Sequence, residues 1–464
     1  MGIQELQRQR AAGKTTAVEL TRAHLDRIDQ VDPRLRAVLA VAPDAVEQAR
    51  ASDERARAGT LIGPLDGVTV LVKDNIDTAD LPTTVGSRAL AGSRPTSDAE
   101  VVRRLRAGGA VVLGKTNLSE WANFRSMNSV SGWSGVGGQT NNPFVLDHNP
   151  SGSSSGSAAA VAAGLCQVAI GTETNGSIVS PASYCGIVGY KPTVGLVSGV
   201  GIAPISDHQD TAGPMTRTVA DAALTMAVLS DLRLPLDPLS LRGKRIGVWA
   251  LSGSDSSTDR AVAASVRALI DAGAIAVEVD IRGVAEMDER SWLAMVTEFT
   301  PLLEAYLRTR PGVPHTLAEL VEFNRQDDVE LSLFGQELFE LALDAPPLTD
   351  PVYVLNRTTA AALARDAIDD TLAEHALDAI LAPTDTPAHV TGRPEDDRVN
   401  SATPAAVAGY PSVTLPAGFG GSLPIGVSLF TTAGHDVELL ALAAAFEQVH
   451  PVARVPKLLP TLPM

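Results

Sequence analysis

Residues 150–192 read PSGSSSGSAAAVAAGLCQVAIGTETNGSIVSPASYCGIVGYKP. The stretch opens on a turn made almost entirely of Gly and Ser. A small-residue helix over Ala158–Ala163 follows, then a short apolar strand over Val168–Ile170. A second glycine-containing turn, T-E-T-N-G-S, ends on Ser177. Glycine permits close backbone approach and positive φ. Turns of this kind expose N–H groups that bind developing negative charge. Two hydroxyl-bearing turns joined by compact structure can place two serines side by side. A Ser/Gly run by itself is a flexible linker. Here it feeds directly into A-A-A-V-A-A-G and V-A-I-G, small and apolar like a buried helix and strand. Gly152, Ser154 and Gly156 also satisfy G-x-S-x-G. That elbow needs a preceding strand, and D-H-N-P is a turn.

Outward from this stretch, the order is strand, helix, strand. Val68–Val72 is a buried strand running into Lys73-Asp74-Asn75, and Val111–Leu113 is the next. Thr16–Glu19 and Ser97–Glu100 have capping-box spacing, predicting helices to about Ile28 and to Ala107. A helix over Pro43–Ala58 lies between them. Residues 117–149, rich in Asn, Ser, Gly and Trp, read as a long loop, and such loops are often functional. Trp121 and Trp133 in it either line a pocket or pack. The segment 193–215 also reads mostly as turns. Further on, helices are expected from Thr218 to about Ser230, over Asp259–Ala272, over Tyr353–His375 and over Asp436–Val449. Strands are expected at Ile246–Ala250, Ala276–Val279, Ala379–Ala382, Val413–Leu415 and Ile425–Phe430. Residues 291–345 are mostly helical and read as an insertion. Strands alternating with helices indicate an α/β sheet covered by helices.

Composition narrows the function. A chain of 464 residues, 45% apolar, supports a large core. A net charge of −17 argues against nucleic acid and against anionic membranes. Cys166 and Cys185 are too few for a disulfide framework or a zinc site, and their apolar flanks make them core residues. No apolar run reaches membrane-spanning length. The N-terminal residues M-G-I-Q-E-L-Q-R-Q-R lack a signal-peptide h-region. The expectation is a cytoplasmic protein, or an exported one if a leader is removed. No phosphate-binding loop or dinucleotide fingerprint is present, so ATP and NAD chemistry is unsupported. The eight histidines are scattered and form no metal-binding pair. A Ser-His-Asp triad built from distant residues stays open, with His148 or His208 as its histidine. Lys73, by itself, reads as a strand-end lysine reaching for water.

Three motifs, V-L-V-K-D-N at Lys73, G-S-S-S-G-S at Ser153 and G-T-E-T-N-G-S-I at Ser177, together resemble the amidase signature family. The likeness runs from Thr16 to about Gln448. It includes the late segments A-G-Y-P-S-V-T-L-P-A-G-F and L-P-I-G-V-S-L-F. The resemblance implies one α/β/α domain over 1–464, with a central mixed twisted sheet flanked by helices. Within it lie a catalytic core segment at 60–235 and a helical insertion at 285–350. It implies Ser177 as nucleophile, Ser153 as bridging serine after a cis peptide bond, and Lys73 as base. Thr174, Asn175 and Gly176, with Ser177, match the oxyanion turn. No metal or cofactor is implied. The reaction implied is hydrolysis of a carboxamide to acid and ammonia through an acyl-enzyme.

The family's common D-T-G-G-S-I-R is E-T-N-G-S-I-V here, so Val179 stands where arginine often suits a charged substrate. This form, with E-W-A-N-F-R-S at Glu120 and F-G-Q-E-L-F-E at Phe334, is similar to that of bacterial peptide amidases, which act on C-terminal peptide amides. The expected partner is therefore a small-molecule or peptide amide, with the protein a monomer or homodimer. The alternatives are an ammonia-supplying component of a tRNA-modifying amidotransferase, a general aliphatic or aryl amidase, and a non-catalytic binding protein.

Overall fold

The apolar strand signals assemble into one sheet of eleven strands in the computed structural model, which describes residues 2–230, 232, 239–253, 255–393 and 399–462. In chain order the strands are β1 (Val38–Val41), β2 (Thr69–Lys73), β3 (Val111–Thr116), β4 (Trp133–Ser134), β5 (Gly138–Gln139), β6 (Val168–Glu173) and β7 (Val188–Lys191). They continue with β8 (Thr211–Thr216), β9 (Arg245–Val248), β10 (Ile275–Glu278), β11 (Ala379–Pro383), β12 (Ser412–Gly420) and β13 (Leu423–Phe430). The large sheet runs β1-β3-β2-β6-β8-β7-β12-β13-β11-β9-β10, while β4 and β5 pair as a separate hairpin. It is mixed: β2 is parallel to both β3 and β6, the run from β6 through β8, β7, β12, β13 to β11 is antiparallel, and β11, β9 and β10 are parallel again.

Alternation along the central strands β2, β3 and β6 feeds two cores, one per face. Val70, Val72, Val112, Val168 and Ile170 enter one, while Leu71, Val111, Leu113 and Ala169 enter the other. The first is closed by helices Glu100–Ala107, Val219–Leu229, Ser256–Asp271 and Asp436–Val449, the second by Ala17–Leu35, Ala45–Ala58 and Ser155–Ala163. This is the expected layered α/β/α arrangement. A third apolar cluster lies apart from both. Helices Val284–Leu307, Leu317–Gln326 and Glu337–Leu343 build it against Leu118, Trp121, Phe124 and Ile205. The expected core-segment boundary at residue 235 lies outside the described residues.

Some expectations shift. The capping box at Thr16 forms, but its helix continues past Ile28 to Leu35 because the stripe Thr21, His24, Ile28, Val31, Leu35 stays buried. The box at Ser97 does not form. Glu100 pairs with Arg103 and Arg104 instead, and the cap residue is Ala99, with no side-chain hydrogen bond. The segment expected to be turns hides β8, which lies fully buried between β6 and β7. Its Gly213 and Pro214 mimic a turn. At Gly213 a Cβ would sit 2.0 Å from the Tyr190 carbonyl oxygen. Pro214 has no N–H for a ladder, and pairing with β7 covers only Met215 and Thr216. No helix of the described residues is long and apolar enough to cross a membrane.

Candidate active site

Lys73 ends β2 in the sheet interior rather than at the water its type favours. The side chain is fully buried. Its Nζ donates to Ser153 Oγ at 2.7 Å, Thr172 Oγ1 at 2.8 Å and the Thr172 carbonyl at 3.3 Å. None of these partners carries a counter-charge. Burial therefore pushes the ammonium down to about 7, opposed in part by the charges of Asp210 and Glu173. A strand-end lysine reaching for solvent is excluded. A lysine titrating near neutrality gives and takes protons.

The Gly/Ser run is a built turn, not a linker. Ser154 Oγ donates to the Thr172 carbonyl and accepts from the Thr172 N–H. Ser155 Oγ donates to the Ser151 carbonyl, and Ser157 Oγ to that of Ile170. The middle serine of G-x-S-x-G is thus a buried strand clamp. Gly152 must be glycine, because a Cβ there would lie 2.2 Å from Ser119 Oγ. The Gly152–Ser153 peptide is cis, as the resemblance implied.

β6 carries the chain from this turn to the next. Beyond Glu173, residues 174–177 bend with Gly176 at φ 79°. Glu173 Oε2 accepts the N–H groups of Ile178 and Val179 at 2.7 and 3.0 Å, fixing the far side of the bend. Thr174 Oγ1 donates to Asp210 at 2.6 Å, and burial raises that carboxyl to about 6. The Asn175 side chain is held by Thr403 at 3.2 Å. The Ser154 N–H donates to the Ser177 carbonyl at 3.2 Å, tying the two turns together. Among the described residues, no hydrogen bond engages the N–H groups of Thr174, Asn175, Gly176 or Ser177. The bend therefore presents free donors beside a hydroxyl, as an oxyanion needs.

Ser177, 9% exposed, lies at a cleft of about 480 Å³. Facing it, Trp121, Ala122 and Asn123 all adopt left-handed φ, at 47°, 54° and 70°. Such a turn persists only where its surroundings enforce it. Arg125, fully buried, supplies a strap: its Nη1 donates to Glu330 Oε2 at 3.0 Å and lies 3.5 Å from Glu120. Its guanidinium lies over Phe334, 4.3 Å from the ring centre. Burial, then the neighbouring Glu330 charge, holds the Glu120 carboxyl well above its usual range.

Lys73 and Ser153 are thus in contact, and the 174–177 bend is tied to the same serine turn through the Ser154 N–H; among the described residues no hydrogen bond joins Ser153 Oγ to Ser177 Oγ. Of the two readings left open for the loop tryptophans, packing holds: Trp121 packs on Phe339 and Trp133 on Phe334, and neither lines the cleft. Trp292, Asn400, Thr403 and Ser180 line it instead, and sequence reasoning missed all four. Trp292 stood inside a segment legible only as helical. The histidine alternative fails. His148 pairs with Asp147 at 2.6 Å and His208 is exposed; no hydrogen bond among the described residues joins either to the serines. Cys166 and Cys185 are buried and free, with burial pushing the Cys166 thiol up to about 12. No group of three His, Cys, Asp or Glu among the described residues could hold a metal ion.

The profile of the family described as Amidase matches residues 19–440. The crystal structure of peptide amidase from Stenotrophomonas maltophilia is 45% identical, superposes with a TM-score of 0.94 and is covered over 98% of both chains. A probable amidase of Arabidopsis thaliana is 37% identical over 96% of this chain and 89% of its own. A glutamyl-tRNA(Gln) amidotransferase component from Thermotoga maritima is 27% identical with a TM-score of 0.74, covering 100% of this chain and 98% of its own.

Proposed function

This chain belongs to the amidase signature family, and from that premise we propose that it hydrolyses the C-terminal amide of peptides through an acyl-enzyme on Ser177. The observation that carries the chemistry is the buried Lys73–Ser153 contact of 2.7 Å, joined through Ser154 to the Ser177 turn. A serine hydroxyl needs a base to attack. Neutral Lys73 takes the Ser153 proton while Ser153 takes that of Ser177, and Ser177 Oγ bonds to the amide carbon. The developing oxyanion meets the free N–H groups of the 174–177 bend, each worth on the order of 3 kcal/mol. The relay then runs backward, protonating the departing nitrogen, and ammonia leaves as the C–N bond breaks. Water attacks the ester, giving its proton to the same relay. The relay returns that proton to Ser177 Oγ as the ester bond breaks, and the carboxylic acid leaves.

The substrate reading rests on the cleft's neutrality. Among the described residues its lining holds no Asp, Glu, Lys, Arg or His, and Val179 is buried. Free glutamine would bring an α-carboxylate into a cleft whose described lining offers it no cation, which is costly. A peptide amide brings neutral groups to the reacting end. The 45%-identical peptide amidase supports the same reading. We read residues 285–350 as the insertion that completes this cleft on one catalytic unit. The test is ammonia release from an amidated dipeptide, free glutamine and an aryl amide. Release from the dipeptide, lost in Ser177→Ala, is expected. Release from glutamine alone would favour the amidotransferase reading, and from the aryl amide alone a general amidase.

A further inference from the structure

The cleft has two unlike walls. One is the open edge of the third apolar cluster: Phe124, Ile205, Met295 and Leu338 belong to its core and Trp292 packs on it. The other is hydroxyl and amide, with Ser129, Ser131, Ser151, Asn123, Asn400 and Thr403. The leaving group in amide hydrolysis is ammonia, which needs no pocket for a side chain. The space of about 480 Å³ is therefore left to the acyl portion, and it lies within the range for small ligands. A peptide main chain offers carbonyls and N–H groups suited to the polar wall. The apolar wall has nothing to offer them.

We propose that Phe124, Ile205, Trp292, Met295 and Leu338 form the subsite for the side chain of the residue bearing the scissile amide, so that the preferred substrates are peptide amides ending in an uncharged apolar residue. The proposal rests on the peptide-amide reading above. A Glu side chain laid on this wall loses water and meets no cation among the described lining residues, and a Lys side chain loses water with only Asp288, bonded to the lining residues Asn175 and Thr403, to approach. A Leu or Phe side chain fills it, and in such pockets one methylene changes kcat/KM by roughly 10- to 200-fold.

The experiment compares kcat/KM for ammonia release from N-acetyl-glycyl-X-amides with X as Ala, Leu, Phe, Glu and Lys. Leu and Phe are expected to exceed Glu and Lys by about tenfold or more. Trp292→Ala, at a half-buried position, and Met295→Gln, which keeps shape while adding polarity, are each expected to lower the Leu-to-Ala ratio by about fivefold or more. Equal rates for Leu and Glu, or ratios unmoved in both variants, would overturn the subsite and leave the peptide-amide reading standing. No release from any member, with release from free glutamine, would overturn both.

Discussion

Two lysines stand side by side on this sheet and lead different lives. Lys73 ends β2 and Lys115 lies near the end of the neighbouring β3, where Val72 pairs with Lys115 and Lys73 with Thr116. Both are fully buried, and burial lowers both. Lys115 has a carboxylate, Asp74, at 3.2 Å, and it also donates to the Ile76 carbonyl and Thr83 Oγ1. Lys73 has only hydroxyls and a carbonyl. A counter-charge in contact opposes that lowering at Lys115, while at Lys73 no contacting group does. Between these two lysines the difference lies in one contacting carboxylate, not in residue type or burial.

The severest test of this contrast is deletion of the proposed relay. Ser177→Ala and Lys73→Ala are each expected to lower kcat/KM by at least about a thousandfold, with thermal unfolding used to verify a folded protein. If Lys73→Ala keeps most of its activity at pH 7, Lys73 is not the base. Next in size is Lys115→Met. It strands Asp74 in the interior and is expected to cost about 3–5 kcal/mol in chemical denaturation. Lys73→Met strands no carboxylate, so its cost should be the smaller of the two. The reverse order would break the comparison.

The pH dependence sharpens it. With Lys73 near 7 in the folded protein and 10.5 ordinarily, the active neutral form gains with pH. The profile of kcat/KM should rise about tenfold per unit below pH 7 and level off above it. Stability carries the same sign. Between about pH 7 and 10.5 the unfolded chain holds the proton that the folded one lacks, so this group's contribution grows as pH rises and is lost as pH falls through 7. Denaturation midpoints of wild type and Lys73→Met across that window would read it. The smallest expected effect is at Glu120. Burial and the neighbouring Glu330 charge raise its carboxyl well above the ordinary value, which favours the neutral form, and Glu120→Gln keeps a neutral group of the same shape. A change of less than about 1 kcal/mol is expected. A larger loss would show that Glu120 is ionised and that buried acids here follow a different rule from the lysines.

The residues that perform local jobs were legible in the chain. V-L-V-K-D-N announced a buried strand with a lysine at its end, and the small-residue flanks of the serine run showed that it was packed. Features built from distant residues were not. Arg125 reaches Glu330 across 205 positions, and Trp292 lines the same cleft as Ser177 only because the helix Val284–Leu307 packs against Trp121 and Phe124. β8 escaped because Gly213 and Pro214 are turn residues by type. The need for Gly213 arises from the Tyr190 carbonyl, which only the neighbouring strand supplies. At Ser97 the box spacing was present, but the arginines one turn along the helix held Glu100 more closely.

The separateness of the third apolar cluster has an evolutionary consequence. The clamps on the Ser177 turn come chiefly from the sheet and its connections, through Glu173, Ser154 and Asp210. The proposed recognition wall is borne largely by the inserted helices. Under the proposed function, mutations accumulating in those helices would retune which amides are admitted while the proposed relay is inherited unchanged. A lineage with this architecture would diversify its diet without having to reinvent its chemistry.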